Sequence, residues 1–223
     1  MNKQNKFEEK YFEGYYKKAV GDFMEHDLIV AKRWFWAWIK KLENYVPLEK
    51  GKSVLEIGCS IGGVASILLD KGLDVHATDV SKYAVNRAKK TSKNIKFSVL
   101  DAREKIKLNK KFDYVLAFEV VEHLEDPQKA IKNMVGVLKK EGYLVFSTPY
   151  PYTWSFRDPT HINVKYPREW IEIMKNAGLK NIVCHSFSLI PFFYKLNKEF
   201  QIIIPFHIPI PYINNPIFFI GRK

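Results

Sequence analysis

The chain has 223 residues, of which 47% are apolar and 15% aromatic; this excludes a disordered polypeptide and suits an α/β domain with a full core. Its formal net charge of +12 leaves two readings, a solvated lysine-rich surface or an acidic partner. The lysines are dispersed and no arginine-rich stripe stands out, so no specific nucleic acid partner is assigned.

In chain order, residues 1–50 carry no strand-like pattern and are expected to form an N-terminal helical cap. Phe7, Tyr11, Phe12, Tyr15 and Tyr16 suggest a short aromatic-faced helix, and Leu28 to Tyr45 a longer one containing Trp34, Phe35, Trp36 and Trp38. Pro47 marks its end. The polar start Met-Asn-Lys-Gln-Asn-Lys lacks a signal-peptide core, and Cys59 and Cys184 make no disulfide framework, so a reducing, cytoplasmic setting is expected.

Residues 51–223 read as the main domain. Ser53 to Gly63 gives a short apolar strand, a glycine turn and the start of a helix that Gly72 stops. Such a turn lets a ligand approach the backbone, and the helix behind it offers unpaired N–H groups. Gly58, Ser60 and Gly63 have the spacing of a dinucleotide-binding turn, with serine in the middle place. Strands follow at Leu73–Thr78, Ile95–Leu100, Phe112–Phe118 and Tyr143–Ser147. Helices are expected from Ser81 to Lys90, from Pro127 to Lys140 and from Pro167 to Ala177. This alternation predicts a doubly wound, mostly parallel seven-stranded sheet. A sixth strand at Leu179–Leu189 and a last one at Ile217–Ile220 have no helix between them, so the last should run antiparallel. A hydrophobic insertion lies between them, at about 190–215. Its prolines bar a long helix, and no apolar run in the chain approaches the ~20 residues of a membrane span.

Three carboxylates close successive strands: Glu56, Asp79 and Asp101. In an open parallel sheet the carboxyl ends of the strands face the ligand crevice, so all three are expected at one place. With them stand Glu119-Val-Val-Glu-His-Leu-Glu-Asp-Pro, Leu138-Lys-Lys-Glu-Gly-Tyr-Leu-Val-Phe-Ser-Thr-Pro, and His161 ahead of a proline-initiated helix.

On these motifs, residues 51–180 resemble the class I S-adenosylmethionine (SAM) methyltransferases, in particular the group that includes the ubiquinone-biosynthesis O-methyltransferases. Glu56, Gly58, Ser60 and Gly62 match that class's Glu-x-Gly-x-Gly-x-Gly loop, again with serine for one glycine. The resemblance implies SAM as cofactor and methyl transfer to a small-molecule or lipid-like acceptor, at oxygen. It places Gly58, Ser60 and Gly62 under the methionine part of SAM, with Glu56 near its ammonium. Asp79 falls to the ribose, Val80 to the adenine face, Asp101 with Ala102 to the adenine edge, and Phe118 and Glu119 to the sulfonium side. Ser60 keeps the turn provided its φ is negative.

A hydroxyl acceptor needs a base, for which His123 and His161 are the candidates. Tyr150, Tyr152 and Trp154 are candidates for a pocket wall. Glu119, Glu122 and His123 share a helix face by spacing, but no metal is assigned. Two other functions stay open, a nucleotide-cofactor oxidoreductase and a non-catalytic SAM-binding protein. For the segment Phe192–Phe219 a hydrophobic cover over the substrate crevice is preferred to a peripheral membrane contact, because a monomer rarely exposes a large apolar patch.

Overall fold

The computed structural model describes residues 27–90, 92–152, 155–156, 158–190, 197, 199–210, 213 and 215–223. The aromatic helix expected at Phe7–Tyr16, and Trp154, Phe192 and Phe193, lie outside these residues. Among the described residues the main sheet has seven strands, in the order Lys96–Val99, Asp74–Asp79, Ser53–Ile57, Phe112–Phe118, Leu138–Pro149, Pro216–Arg222 and Lys180–Ser186, and a separate two-stranded sheet pairs Ser188–Ile190 with Ile202–Ile204. The described residues fall into two compact units. The first runs to Asp101 and takes in those between Phe193 and Phe200; the second holds those of Ala102–Phe192 and Gln201–Lys223.

In the first unit, α1 (Asp27–Leu42) buries Trp38, Ile39 and Leu42 completely. It packs on α2 (Gly63–Asp70), and the fit depends on Gly63: a Cβ there would sit 2.7 Å from that of Ala31. Strand β1 (Ser53–Ile57) is buried along its whole length, as a strand covered on both faces must be. It pairs in parallel with β2 (Asp74–Asp79), Ser53 opposite Asp74 and Ile57 opposite Thr78. Helix α3 (Lys82–Ala88) is capped by Ser81, whose hydroxyl accepts the Ala84 N–H. Strand β3 (Lys96–Val99) then pairs in parallel with β2.

The second unit begins with β4 (Phe112–Phe118), followed by a 3₁₀ turn at Val121–His123 and α4 (Pro127–Gly136), which Asp126 caps. This helix is four residues shorter than its apolar pattern suggests. Leu138 already pairs with Phe112 and opens β5 (Leu138–Pro149), and the Phe112 N–H donates to the Val137 carbonyl. Ladder bonds to β4 thus outcompete the last helical turn, at Gly136, a poor helix former. Helix α5 (Pro167–Asn176) precedes β6 (Lys180–Ser186).

The expected sixth strand breaks at Phe187. Beyond it β7 (Ser188–Ile190) leaves the main sheet and pairs antiparallel with β8 (Ile202–Ile204), in the insertion. Strand β9 (Pro216–Arg222) lies antiparallel between β5 and β6, as expected. The core here is aromatic: Phe146 stacks on Phe219 at 4.9 Å and meets Trp170 edge-on at 5.5 Å.

Candidate active site

In the first unit, three residues of the glycine turn hold left-handed backbone angles: Gly58 at φ 78°, Ser60 at 48° and Gly62 at 89°. The expectation of a negative φ at Ser60 is therefore overturned. Serine is held there because its backbone N–H donates to Asp79 Oδ2 at 2.9 Å. The other Asp79 oxygen, Oδ1, accepts the Ser81 N–H, also at 2.9 Å. One buried carboxylate thus ties the turn after β1 to the turn after β2. The Gly58 and Cys59 N–H groups both donate to the Thr78 carbonyl, and Thr78 Oγ1 donates to the Glu56 carbonyl.

Glu56 is 4% exposed, and its Oε2 has no hydrogen-bond partner; neither has the buried hydroxyl of Ser60. Burial, helped by the nearby Asp79 charge, pushes the Glu56 carboxyl up to about 8, although the Ala65 N–H pulls it back. Buried polar atoms without partners are costly, so Glu56 near the end of β1 and Ser60 in the turn after it make a candidate ligand site. A cation beside Glu56 would restore its charge, and a carboxylate or hydroxyl on the same ligand would satisfy Ser60. Val80 and Asp101 are half-buried, and the Leu100 N–H, just before Asp101, donates to the Asp79 carbonyl.

In the second unit, Glu119 follows β4 with φ 53°. It lies before the 3₁₀ turn, so Glu119, Glu122 and His123 do not share an α-helical face. Ser147 on β5 holds it: the hydroxyl donates to Glu119 Oε1 at 2.7 Å and accepts the Glu119 N–H at 3.0 Å. Glu122 is fully buried, and neither carboxylate oxygen has a partner. Burial first, then the Glu119 charge, raises its carboxyl well above the ordinary value, and burial raises Glu119 to about 7. Phe118 stacks on Phe218 at 5.6 Å, and the carbonyl of buried Ala102 accepts from Asn133 Nδ2.

The loop after β5 delivers His161 onto His123, with ring centroids 4.8 Å apart. Each imidazole is aimed by a backbone carbonyl at Nδ1: Thr160 for His123 at 3.1 Å, Ser155 for His161 at 2.8 Å. Each Nε2 faces a carboxylate, Glu122 Oε1 at 3.9 Å and Asp158 Oδ2 at 3.6 Å. The loop is fastened to the 3₁₀ turn because the Ile162 and Asn163 N–H groups both donate to the Glu122 carbonyl. Ligand atoms of Glu122, His123 and His161 lie within 4.8 Å of one another, a set able to bind a divalent ion.

The two histidines named from sequence are thus brought together, whereas Ser147, which holds Glu119, and Asp158, which faces His161, were not found. Nothing short of the loop's path signals them. His207 was missed too. It forms a ring cluster with Tyr150, at 4.4 Å, and with Tyr152, at 6.0 Å, while those two tyrosines lie 4.6 Å apart.

A family model described as a methyltransferase domain matches residues 30–183. The chain belongs to the methyltransferase domain family. This methyltransferase domain is 35% identical over 114 residues to a ubiquinone biosynthesis O-methyltransferase of Coxiella burnetii, a match over 49% of this chain and 48% of the relative. It is 34% identical over 113 residues to the same-named protein of Rickettsia canadensis. The matched stretch spans about half the length of these curated relatives.

Its fold is shared with solved structures. With a SAM-dependent methyltransferase of Archaeoglobus fulgidus the TM-score is 0.67 at 19% identity, over 96% of this chain and all of the other. With phosphoethanolamine N-methyltransferase 2 of Haemonchus contortus, solved with phosphomonomethylethanolamine and S-adenosylhomocysteine, it is 0.67 at 18% identity, over 96% of this chain and 59% of the other.

Proposed function

We propose that this protein is a SAM-dependent methyltransferase whose acceptor is a small-molecule or lipid-like hydroxyl compound. The observation that carries the reading is the turn after β1, where Glu56 Oε2 and the Ser60 hydroxyl are buried without partners beside the backbone-anchored Asp79. These are the groups that the methionine ammonium and carboxylate of SAM would satisfy. Asp79 would take the ribose hydroxyls with lone pairs left over from its two N–H bonds, and Val80 and Asp101 of the same unit would lie along the adenosine part. The names of the Coxiella and Rickettsia relatives support oxygen as the acceptor atom. The two cysteines, free thiols in the structure, fit a cytoplasmic site of action.

When bound, SAM supplies a methyl group already activated on its sulfonium. The protein's work is therefore to orient, to exclude water and to take one proton from the acceptor hydroxyl. In our reading an imidazole Nε2 of the His123–His161 pair takes that proton. The carbonyls of Thr160 and Ser155 fix each ring with its Nδ1–H donating, which leaves Nε2 as the acceptor. Asp158, facing the His161 Nε2, offsets the charge gained there.

Calorimetric titration with SAM and with NAD, followed by turnover of radiolabelled SAM against a panel of hydroxylated aromatic and lipid-like acceptors, tests the proposal. SAM binding with acceptor-dependent label transfer is expected. Binding of NAD in place of SAM would overturn the cofactor reading, and SAM binding without turnover on any acceptor would leave a non-catalytic SAM-binding protein.

A further inference from the structure

His207 belongs to the same unit as the His123–His161 pair. Its ring is half-buried, but its Nε2 is closed off from solvent and has no hydrogen-bond partner among the described residues. The ring does bond the backbone of Pro216, which can offer only a carbonyl. That bond therefore comes from Nδ1–H, and Nε2 is a bare acceptor. Burial holds the imidazole below its ordinary pKa, although the Pro216 carbonyl favours the charged form. His123 and His161 are oriented in the same way, each with Nδ1 on a backbone carbonyl.

The ring is held in place from two sides. Behind it, the next residue is clamped: buried Ser188 Oγ accepts the Ile208 N–H at 2.7 Å, and buried Asn215 Nδ2 donates to the Ile208 carbonyl at 3.0 Å. In front, it meets Tyr150 edge-on, and the Tyr150 N–H donates to the Asn215 carbonyl. Neither Tyr150 nor Tyr152 gives Nε2 a donor. Phenylalanine would fill the same place in this ring cluster without a stranded nitrogen, so packing alone gives no reason for an imidazole. One buried residue joins the cluster to the histidine pair. Ser155 Oγ donates to the Tyr150 carbonyl, its N–H donates to the Tyr152 carbonyl, and its own carbonyl aims His161.

We infer that His207 is a specificity-determining residue of the methyl-transfer site: its Nε2 accepts a hydrogen bond from a neutral donor group of the acceptor, apart from the hydroxyl that is methylated, with Tyr150 and Tyr152 beside it. The inference rests on the methyl-transfer reading. It follows that an acceptor whose second donor is blocked is rejected, because Nε2 then stays stranded in the complex.

Nitrogen NMR of the full chain with isotope-labelled histidine tests this, with catechol, resorcinol and hydroquinone as probes and the dimethyl ether of each as control. The His207 signals are those missing from His207→Phe. A diol should move the Nε2 signal of His207, and its dimethyl ether, which has no donor, should not. Turnover with radiolabelled SAM gives the second readout. The kcat/KM of a diol should exceed that of its monomethyl ether by about tenfold or more in the unaltered protein and by no more than about threefold in His207→Phe, with the Kd for SAM unchanged. His207→Gln keeps an acceptor and should recover part of the preference. The Tm of His207→Phe should hold, since the partnerless nitrogen is gone and the Phe187 N–H still donates to the Pro216 carbonyl. Absence of any Nε2 shift with all three diols overturns the inference. So does an unchanged diol-to-ether ratio in His207→Phe, and a lowered Tm alongside it would make His207 a packing residue. A His207 shift with no label transfer to any probe would support the contact and count against the methyl-transfer reading alone.

Discussion

The turn after β1 and the cluster after β4 solve one problem in two ways. Both keep a glutamate in the interior with an oxygen unsatisfied, Glu56 in the first unit and Glu122 in the second. Around Glu56 the scaffold is backbone: Asp79 collects the N–H groups of Ser60 and Ser81, and Thr78 collects those of Gly58 and Cys59. Around Glu122 it is side chains, two imidazoles and Asp158, brought in by a loop nearly 40 residues further on (His123 meets Thr160). A site braced by the backbone is rigid, which suits a constant ligand, as a cofactor is. A side-chain site offers groups that gain and lose protons, as a reaction needs. The comparison divides binding from chemistry, and each variant below is chosen to cross that line.

The largest effect is expected in the second region. His161→Ala or His123→Ala should lower kcat by roughly 10²–10⁴ and leave the Kd for SAM unchanged. Single-turnover kinetics beside calorimetry separates the two. Equal losses in kcat and SAM affinity would erase the division, and full activity in both variants would remove the pair from the chemistry.

Next is Asp79→Ala. It strands two backbone N–H groups, each giving up a bond to a charged acceptor worth about 1.5–3 kcal/mol. Stability should fall by about 3–6 kcal/mol and SAM affinity by more than tenfold. Asp79→Asn keeps an acceptor for one of the two and should fall between. Unfolding in denaturant and SAM titration measure both. An intact Tm with lost SAM binding would mean that Asp79 serves the ligand and not the turn.

The two regions also differed in how far they could be read from sequence. The turn was legible because its parts are local: glycine spacing after an apolar run, and carboxylates at strand ends. All of the main-sheet strands were found for the same reason. The pairing of His123 with His161 was not, since only the loop's path decides it, and Ser147 and Asp158 carry no local mark. Ser60 failed on the sign of φ, because a tertiary bond to Asp79 overrides an intrinsic backbone preference. In the insertion composition argues for burial, and the structure leaves Ile202, Phe206 and Ile210 exposed while Ile203, Ile204 and Ile208 are half-buried.

Third is the pH response of the first region. A carboxyl raised to about 8 by burial holds its proton in the folded state, while the unfolded chain releases it near the ordinary value. Between those values the native state binds more protons, so stability is greatest at the acid end. It falls as pH rises through the window and levels off above about 8. Glu56→Gln should flatten this profile and gain roughly 2 kcal/mol at the alkaline end. A SAM ammonium beside Glu56 would favour the ionised form, so SAM should bind more tightly as pH rises through the same window, with proton release visible as a buffer dependence of the calorimetric heat. Denaturant midpoints of both proteins across the window check the first claim. A profile equally steep in both would show that Glu56 is not the titrating group.

The smallest effect sharpens the comparison most, because it sets stability against function at one residue. Ser60 holds φ 48° and a buried hydroxyl without a partner, two costs that glycine would not carry. A left-handed non-glycine residue costs on the order of 1 kcal/mol or more, and glycine gives back about 0.5–1 kcal/mol through the freedom it adds to the unfolded chain. Ser60→Gly should therefore stabilise the ligand-free protein by up to about 1 kcal/mol. If the hydroxyl meets the methionine carboxylate of SAM, the same change should weaken SAM binding about three- to tenfold, the value of one hydrogen bond. Higher Tm with weaker SAM binding would show a fold that keeps strain at its binding turn for the ligand's sake. Higher Tm with unchanged Kd would reduce Ser60 to a tolerated substitute for glycine and leave Glu56 as the side chain that reads the methionine end.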